Sequence, residues 1–170
     1  LDGVRGIVAF EIDPLTGEIL SDKHLISEGC GGQCAEGPHI YRKDGFYYLM
    51  IAEGGTEYAH RETMQRSDNI YGPYIPCPHN PIISHKEYKK SEIQATGHAD
   101  LVEDENGNWW LVFLGIRRFS HALLHNLGRE TFLAPVTWDE EGWPVVGYNG
   151  NGTIELVMDA PLPGSDCADT

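Results

Sequence analysis

The 170-residue chain carries 12 Lys and Arg against 26 Asp and Glu, a formal net charge of −14. Such a surface repels a phosphate backbone and an anionic bilayer alike, which excludes nucleic acid and membranes as partners and leaves neutral sugars untouched. With 41% hydrophobic and 22% charged residues the make-up is that of a soluble domain with a sizeable core. No apolar run approaches the roughly 18 residues of a membrane span. Twenty Gly, ten Pro and seventeen aromatic residues (four Trp, eight Tyr, five Phe) favour an all-β chain with many turns. The chain opens at Leu1 without a Met or a signal sequence. Its start is therefore expected to lie inside a longer protein, and localisation is not legible.

Taken in order, Arg5 to Glu11 alternates loosely, Asp13-Pro14-Leu15-Thr16-Gly17 is a turn, and Glu18-Ile19-Leu20 is a return strand, making one hairpin from Ile7 to Leu20. A Gly-rich stretch from Ser27 to Gln33 follows. It contains Cys30-Gly31-Gly32-Gln33-Cys34, a CxxxC rather than the CxxC of a zinc ribbon or redox helix. With Cys77 and Cys167 no tetrahedral set is completed, so thiols or an opportunistic disulfide are expected before a structural metal.

The next stretch organises the chain. Glu36-Gly37-Pro38-His39-Ile40-Tyr41 sets a carboxylate at the mouth of a strand. Asp44-Gly45 is a strong hairpin turn, and Phe46 to Ile51 returns as a second strand. Glu53-Gly54-Gly55-Thr56 breaks it, and a third hairpin runs from His60 to Arg66 and back towards Pro76. About 60 residues on, the pattern repeats. Gly97-His98-Ala99-Asp100-Leu101 matches the strand mouth, Asp104-Glu105-Asn106-Gly107 the turn, and Asn108-Trp109-Trp110-Leu111 the segment Phe46-Tyr47-Tyr48-Leu49. A polar link from Arg117 to Glu130 leads into a closing hairpin, Thr131 to Trp138 and Trp143 to Val146. Four strands per repeat predict propeller blades, of which the chain holds the outer half of one and then two whole ones. A β-sandwich with coincidental spacing is the competing reading.

Three of these motifs stand together in order: Glu36-Gly37-Pro38-His39, Gly97-His98-Ala99-Asp100 and Gly128-Arg129-Glu130-Thr131. In that combination, from Gly6 to about Asn151, the chain resembles glycoside hydrolase family 43, five-bladed β-propellers that include β-xylosidases and α-L-arabinofuranosidases. The resemblance implies an all-β, five-bladed propeller of which this chain supplies about two and a half blades. Residues 1–147 would be the partial propeller, and 148–170 a last strand with a linker or tail. It implies hydrolysis of xylosyl or arabinofuranosyl linkages of hemicellulose by an inverting acid/base mechanism, on a xylo- or arabino-oligosaccharide. By the same resemblance Glu36 is the general acid, while His98, Arg129 and Thr56 bind substrate. No cofactor is required. In some members the His matching His98 helps hold an axial calcium through water, so a calcium at the axis is allowed.

The family's general base and the aspartate that tunes the acid match no residue here. The isolated chain is therefore expected to be inactive, completed by N-terminal blades and by a C-terminal domain. Asp100 would be the first base to examine, although its place two residues after His98 suits the scaffold. Each assignment has a plainer counterpart. His98 would serve as a core histidine, Arg129 would pair with Glu130 or Asp139, and Thr56 would stabilise a turn. Tyr47, Tyr48, Trp109 and Trp110 read as blade core before sugar platforms. Two other functions stay open, a non-catalytic carbohydrate-binding propeller and a module whose open strand edges pair with another chain. Asn151-Gly152-Thr153 is a glycosylation sequon.

Overall fold

The computed structural model describes residues 5–119, 124–147 and 152–157. Among them are ten strands and no helix, and so no helix long and apolar enough to cross a membrane. A two-stranded ribbon pairs β1 (Ile7–Ala9) with β2 (His24–Ser27). The next sheet is a four-stranded meander of β3 (Glu36–Lys43), β4 (Phe46–Glu53), β5 (Arg61–Ser67) and β6 (Ile75–Pro76). A second meander follows, of β7 (Ile93–Glu103), β8 (Trp109–Arg117), β9 (Glu130–Trp138) and β10 (Pro144–Val146). The expected hairpins at 38–53 and 98–115 thus form the inner half of each four-stranded sheet.

Local chemistry accounts for the turns. Lys43 pairs with Phe46 across Asp44 and Gly45, whose φ angles of +49° and +86° are those of a two-residue hairpin turn matching strand twist. The turns at Asp104 and Asp139 are built alike. Each Asp side chain takes two backbone amides ahead of it, and Gly107 and Gly142 close the loops.

Strand β4 shows why the sheets stack. Its side chains alternate, and both faces are covered: Leu49 and Ile51 pack on Ile7 and Ile26 of the ribbon, while Tyr48 and Met50 join Met64, Leu101, Leu111 and Phe113 between the two meanders. A strand buried on both faces has to be apolar at consecutive positions, which Leu49-Met50-Ile51-Ala52 satisfies. At the turn end Trp138 joins the two sheets through an edge-to-face contact with Tyr48 at 5.1 Å, and it packs edge-on against Trp109 of its own sheet at 5.3 Å.

The opening hairpin differs from expectation. The Asp13–Gly17 turn forms and Ile12 bridges Ile19, but Ile7–Ala9 pairs with His24–Ser27 rather than with Glu18 to Leu20. The ribbon runs past Leu20 because the apolar pair that reaches the Leu49–Ile51 face is Ile7 with Ile26, and Ile19 and Leu20 stay exposed. The matched strand mouths also differ by one residue: the left-handed position is Gly37 in β3 but His98 in β7. Beyond Val146, residues 152–154 lie against the loop after β6, where Ser84 donates to the Gly152 carbonyl at 2.9 Å. The rest of the proposed tail, with Asn151 of the sequon and Cys167, lies outside the described residues.

Candidate active site

Strands β3 and β7 lie side by side, and their facing residues make one site. Glu36 opens β3 at a bulge between its pairing with Ala52 and the resumption of the ladder at His39. Gly37 follows with φ +55°, and a Cβ there would stand 2.8 Å from His98 Nε2, so only glycine lets the imidazole sit down on this turn. His98 itself holds φ +55°, a conformation an L side chain seldom takes and which needs support from its surroundings. The result is convergence: His98 Nδ1 lies 3.9 Å from Glu36 Oε1, and both side chains keep about two-fifths of their surface open, at 41% and 44%. That separation is too long for a direct hydrogen bond and leaves both groups able to engage a third. Two further contacts suture the strands. His39 Nε2 meets Asp100 Oδ1 at 3.1 Å, and Tyr41 Oη accepts from the Leu101 amide at 2.9 Å. Asp100 therefore belongs to the suture.

Behind this pair lies a buried polar layer from the mouth of β5. His60 has no solvent exposure, and its Nδ1 donates to the Ala95 carbonyl at 3.1 Å. Its ring centroid lies 6.5 Å from that of His98. Burial holds the His60 imidazole below its ordinary range; the His98 and Arg129 charges push the same way, while the Ala95 hydrogen bond and Glu36 oppose them. His60 therefore lies within electrostatic reach of three of the four expected site residues.

Glu53, at the end of β4, is also fully buried. Arg61 clamps one of its oxygens through Nη2 at 2.9 Å and Nε at 3.2 Å, and the other accepts the Cys30 amide at 2.5 Å. A Cβ on Gly29 would fall 2.4 Å from that carboxylate, and one on Gly32 2.6 Å from the Glu53 Cβ. The Gly-rich segment is thus moulded around Glu53 and delivers the chain to Glu36.

Arg129 and Thr56 are brought together elsewhere, in a cleft of about 430 Å³ that Tyr58, Ala95 and His125 also line. The anticipated surface pairing of Arg129 is not formed. Glu130 is taken by Arg117, and Asp139 by His79 at 3.2 Å. Ala95 joins the two halves of the site, lining the cleft while its carbonyl holds His60. A larger hollow of about 650 Å³ beside Arg5, Glu28 and Cys34 contains none of the expected site residues.

The profile of glycosyl hydrolases family 43 matches residues 2–144. The chain belongs to glycosyl hydrolase family 43. Among its relatives there, the non-reducing end α-L-arabinofuranosidase BoGH43B of Bacteroides ovatus is 51% identical over 139 residues, 82% of this chain and 26% of that protein. Xylosidase/arabinosidase 43B of Humicola insolens is 37% identical over 163 residues, 95% of this chain and 30% of that one. Two solved structures superpose closely. One is the Bacteroides ovatus xyloglucan-locus GH43B, with TM-score 0.82 and 44% identity over 95% of this chain and 34% of that one. The other is the xylan β-1,4-xylosidase of Bacillus halodurans, with TM-score 0.81 and 36% identity over 92% of this chain and 30% of that one. The chain spans about a quarter to a third of the length of the curated relatives it matches.

Against the family's occasional axial calcium the residues here offer little by themselves. Calcium asks for about six to eight oxygen ligands. Among the described residues no group of three or more His, Cys, Asp and Glu stands together to hold a metal. Cys30, Cys34 and Cys77 are free thiols. Of the aromatics, Tyr48 and Trp110 are buried, and Tyr47 and Trp109 lie near the turns. Arg42, the partner of Tyr47, is six residues along β3 from Glu36, or roughly 20 Å at strand rise. Tyr48, Trp109 and Trp110 are packing residues.

His60, Glu62 and the Glu53–Arg61 pair were missed as site residues. A signal was present: His60-Arg61-Glu62 sets three polar groups at the mouth of a strand that continues Thr63-Met64-Gln65-Arg66-Ser67, a polar cluster where burial would call for apolar side chains.

Proposed function

We propose that the chain supplies the acid half of a family 43 glycosidase active site, acting on xylosyl or arabinofuranosyl linkages of hemicellulose, with Glu36 as proton donor. The observation that carries this is the convergence of Glu36 and His98 at 3.9 Å on the neighbouring strands β3 and β7. Inversion requires two carboxyl groups on opposite faces of the sugar, roughly 6.5–9.5 Å apart, one protonating the leaving oxygen and the other activating water. Glu36 sits at the open mouth of β3, where an incoming glycosidic oxygen can reach it. His98 shares that mouth and would hydrogen-bond a sugar hydroxyl. Arg129 presents rigid donors suited to hydroxyl pairs, with Thr56 across the cleft.

The reading assigns the water-activating base to no residue of this chain, since Asp100 is engaged by His39. It follows that the base and the remaining blades of a five-bladed ring come from chain beyond these residues, and that the 170-residue chain alone turns over no substrate. That the arabinofuranosidase and xylosidase relatives are about three times as long supports this. A calcium at the axis, if bound, would supply fixed positive charge near His98, and no step described here depends on it.

The test is Glu36→Gln in the longer protein that this reading implies. A poor leaving group, such as a second sugar, needs its oxygen protonated in the transition state and loses roughly 10²–10⁴-fold in kcat/KM. An activated aryl leaving group loses far less. Equal losses for both substrates would remove Glu36 from the role of acid.

A further inference from the structure

The backbone at His98 poses a problem that β7 does not solve for itself. The β7–β8 ladder is regular from Asp100 to Glu103 but shifts register twice just before, between Gln94 and Gly97 and again between Gly97 and Asp100. The second shift leaves His98 and Ala99 without rungs on β8, in a segment where Ala99 is buried and His98 holds a left-handed φ of +55°. Buried amides removed from a ladder need another acceptor. It comes from the other sheet. Glu62, the second residue of β5 and without solvent exposure, accepts the amide of Ala99, the residue after His98, on Oε2 at 3.1 Å, while its Oε1 has no partner among the described residues.

We propose that Glu62 is a positioning residue for the candidate acid site: its carboxyl oxygen stands in for the missing ladder partner of Ala99, and so fixes the backbone that holds the His98 imidazole over Gly37 and against Glu36. This rests on the reading of Glu36 as proton donor. The geometry has the features such a role needs. The carboxyl group hydrogen-bonds neither Glu36 nor the imidazole, so it acts on His98 through the backbone at Ala99. Its own strand is anchored on both sides, pairing with Ala52 of β4 and, through the Glu62 amide and carbonyl, with Ile83 and Ile82. A fixed support of this kind corrects a strained backbone, whereas a mobile surface residue would follow it. Burial also pushes the Glu62 carboxyl well above the usual carboxylate range, opposed by the Ala99 amide. A neutral acid and a glutamine would therefore hold that amide comparably.

The experiment compares Glu62→Leu, which keeps bulk and loses the acceptor, with Glu62→Gln, which keeps an acceptor oxygen. In the 170-residue chain, hydrogen exchange at the Ala99 amide should rise roughly tenfold or more in Glu62→Leu, with Asp100 as the unaffected reference, and return towards wild type in Glu62→Gln. The His98 ring resonances should move only in the Leu variant. Unchanged protection in Glu62→Leu, or a Gln variant indistinguishable from Leu, overturns the proposal. Should the Leu variant fail to fold, the wild type decides. Scalar coupling across the hydrogen bond from the Ala99 amide to the Glu62 carboxyl carbon supports the assignment, and its absence overturns it.

In the longer enzyme Glu62→Leu should lower kcat by roughly 10²-fold with KM little moved, as expected for a misplacement of about 1 Å, and Glu62→Gln should restore most of it. Full kcat in a Leu variant with a deprotected Ala99 amide overturns the positioning role. The amide readout is independent of turnover. A failure of the Glu36 leaving-group test would therefore unseat the acid reading while the hydrogen-exchange result still decides what Glu62 holds.

Discussion

Acidification should weaken this fold through one histidine before its surface carboxylates contribute. His85 has no solvent exposure; its Nε2 accepts the Ile154 amide at 2.9 Å, and its Nδ1 has no partner among the described residues. Burial pushes its imidazole from 6.5 down to about 4. The folded state therefore keeps the ring neutral where the unfolded chain would protonate it, and the unfolded state binds more protons throughout that interval. Stability is complete above about pH 6.5, falls as pH drops, and the loss is complete below about pH 4. At 1.36 kcal/mol per pH unit the penalty is about 2 kcal/mol at pH 5 and about 3 kcal/mol at pH 4. The comparison is with His85→Gln, whose side-chain oxygen can accept the Ile154 amide but does not titrate. Urea unfolding of both proteins between pH 7.5 and 4 isolates the effect, because His60 and the carboxylates titrate in both and cancel. The wild type should lose about 3 kcal/mol relative to the variant across that range. A flat difference, or an imidazole resonance of His85 titrating near 6.5 in the folded chain, would refute the reasoning.

Two other perturbations follow from the site. Gly37→Ala should cost about 1–2 kcal/mol for the left-handed backbone alone and displace the His98 ring, read as a lower urea midpoint together with shifted His98 ring resonances; wild-type values of both would contradict the seating of His98 on Gly37. Arg61→Met should strand the buried Glu53 carboxylate and destabilise by about 3–5 kcal/mol, with most of that recovered when Glu53→Gln is added; thermal melts of the single and double variants decide it, and an additive pair would show that the clamp is not coupled.

Period-2 patterning and turn chemistry are local properties, and so they could be read directly. Asp44-Gly45, Asp104 to Gly107 and Asp139 to Gly142 turn where their composition requires it, and the repeat near 60 residues placed Glu36 and His98 at equivalent strand mouths. Their juxtaposition followed from that equivalence, because adjacent repeats set their inner strands side by side. What the chain could not disclose by itself depends on packing between sheets. The partner of Ile7–Ala9 was decided by which apolar pair reaches Leu49 and Ile51. Whether Arg129 would face a cleft or pair with Glu130 depended on Arg117, thirteen residues from Glu130 and across the β8–β9 hairpin. Glu62 looked like an ordinary polar residue on a half-buried strand. Only the tertiary structure shows that a double bulge in another sheet strips the Ala99 amide of its ladder partner and leaves this carboxyl to receive it. A buried polar group takes its meaning from the donor it satisfies, and that donor lies 37 residues away.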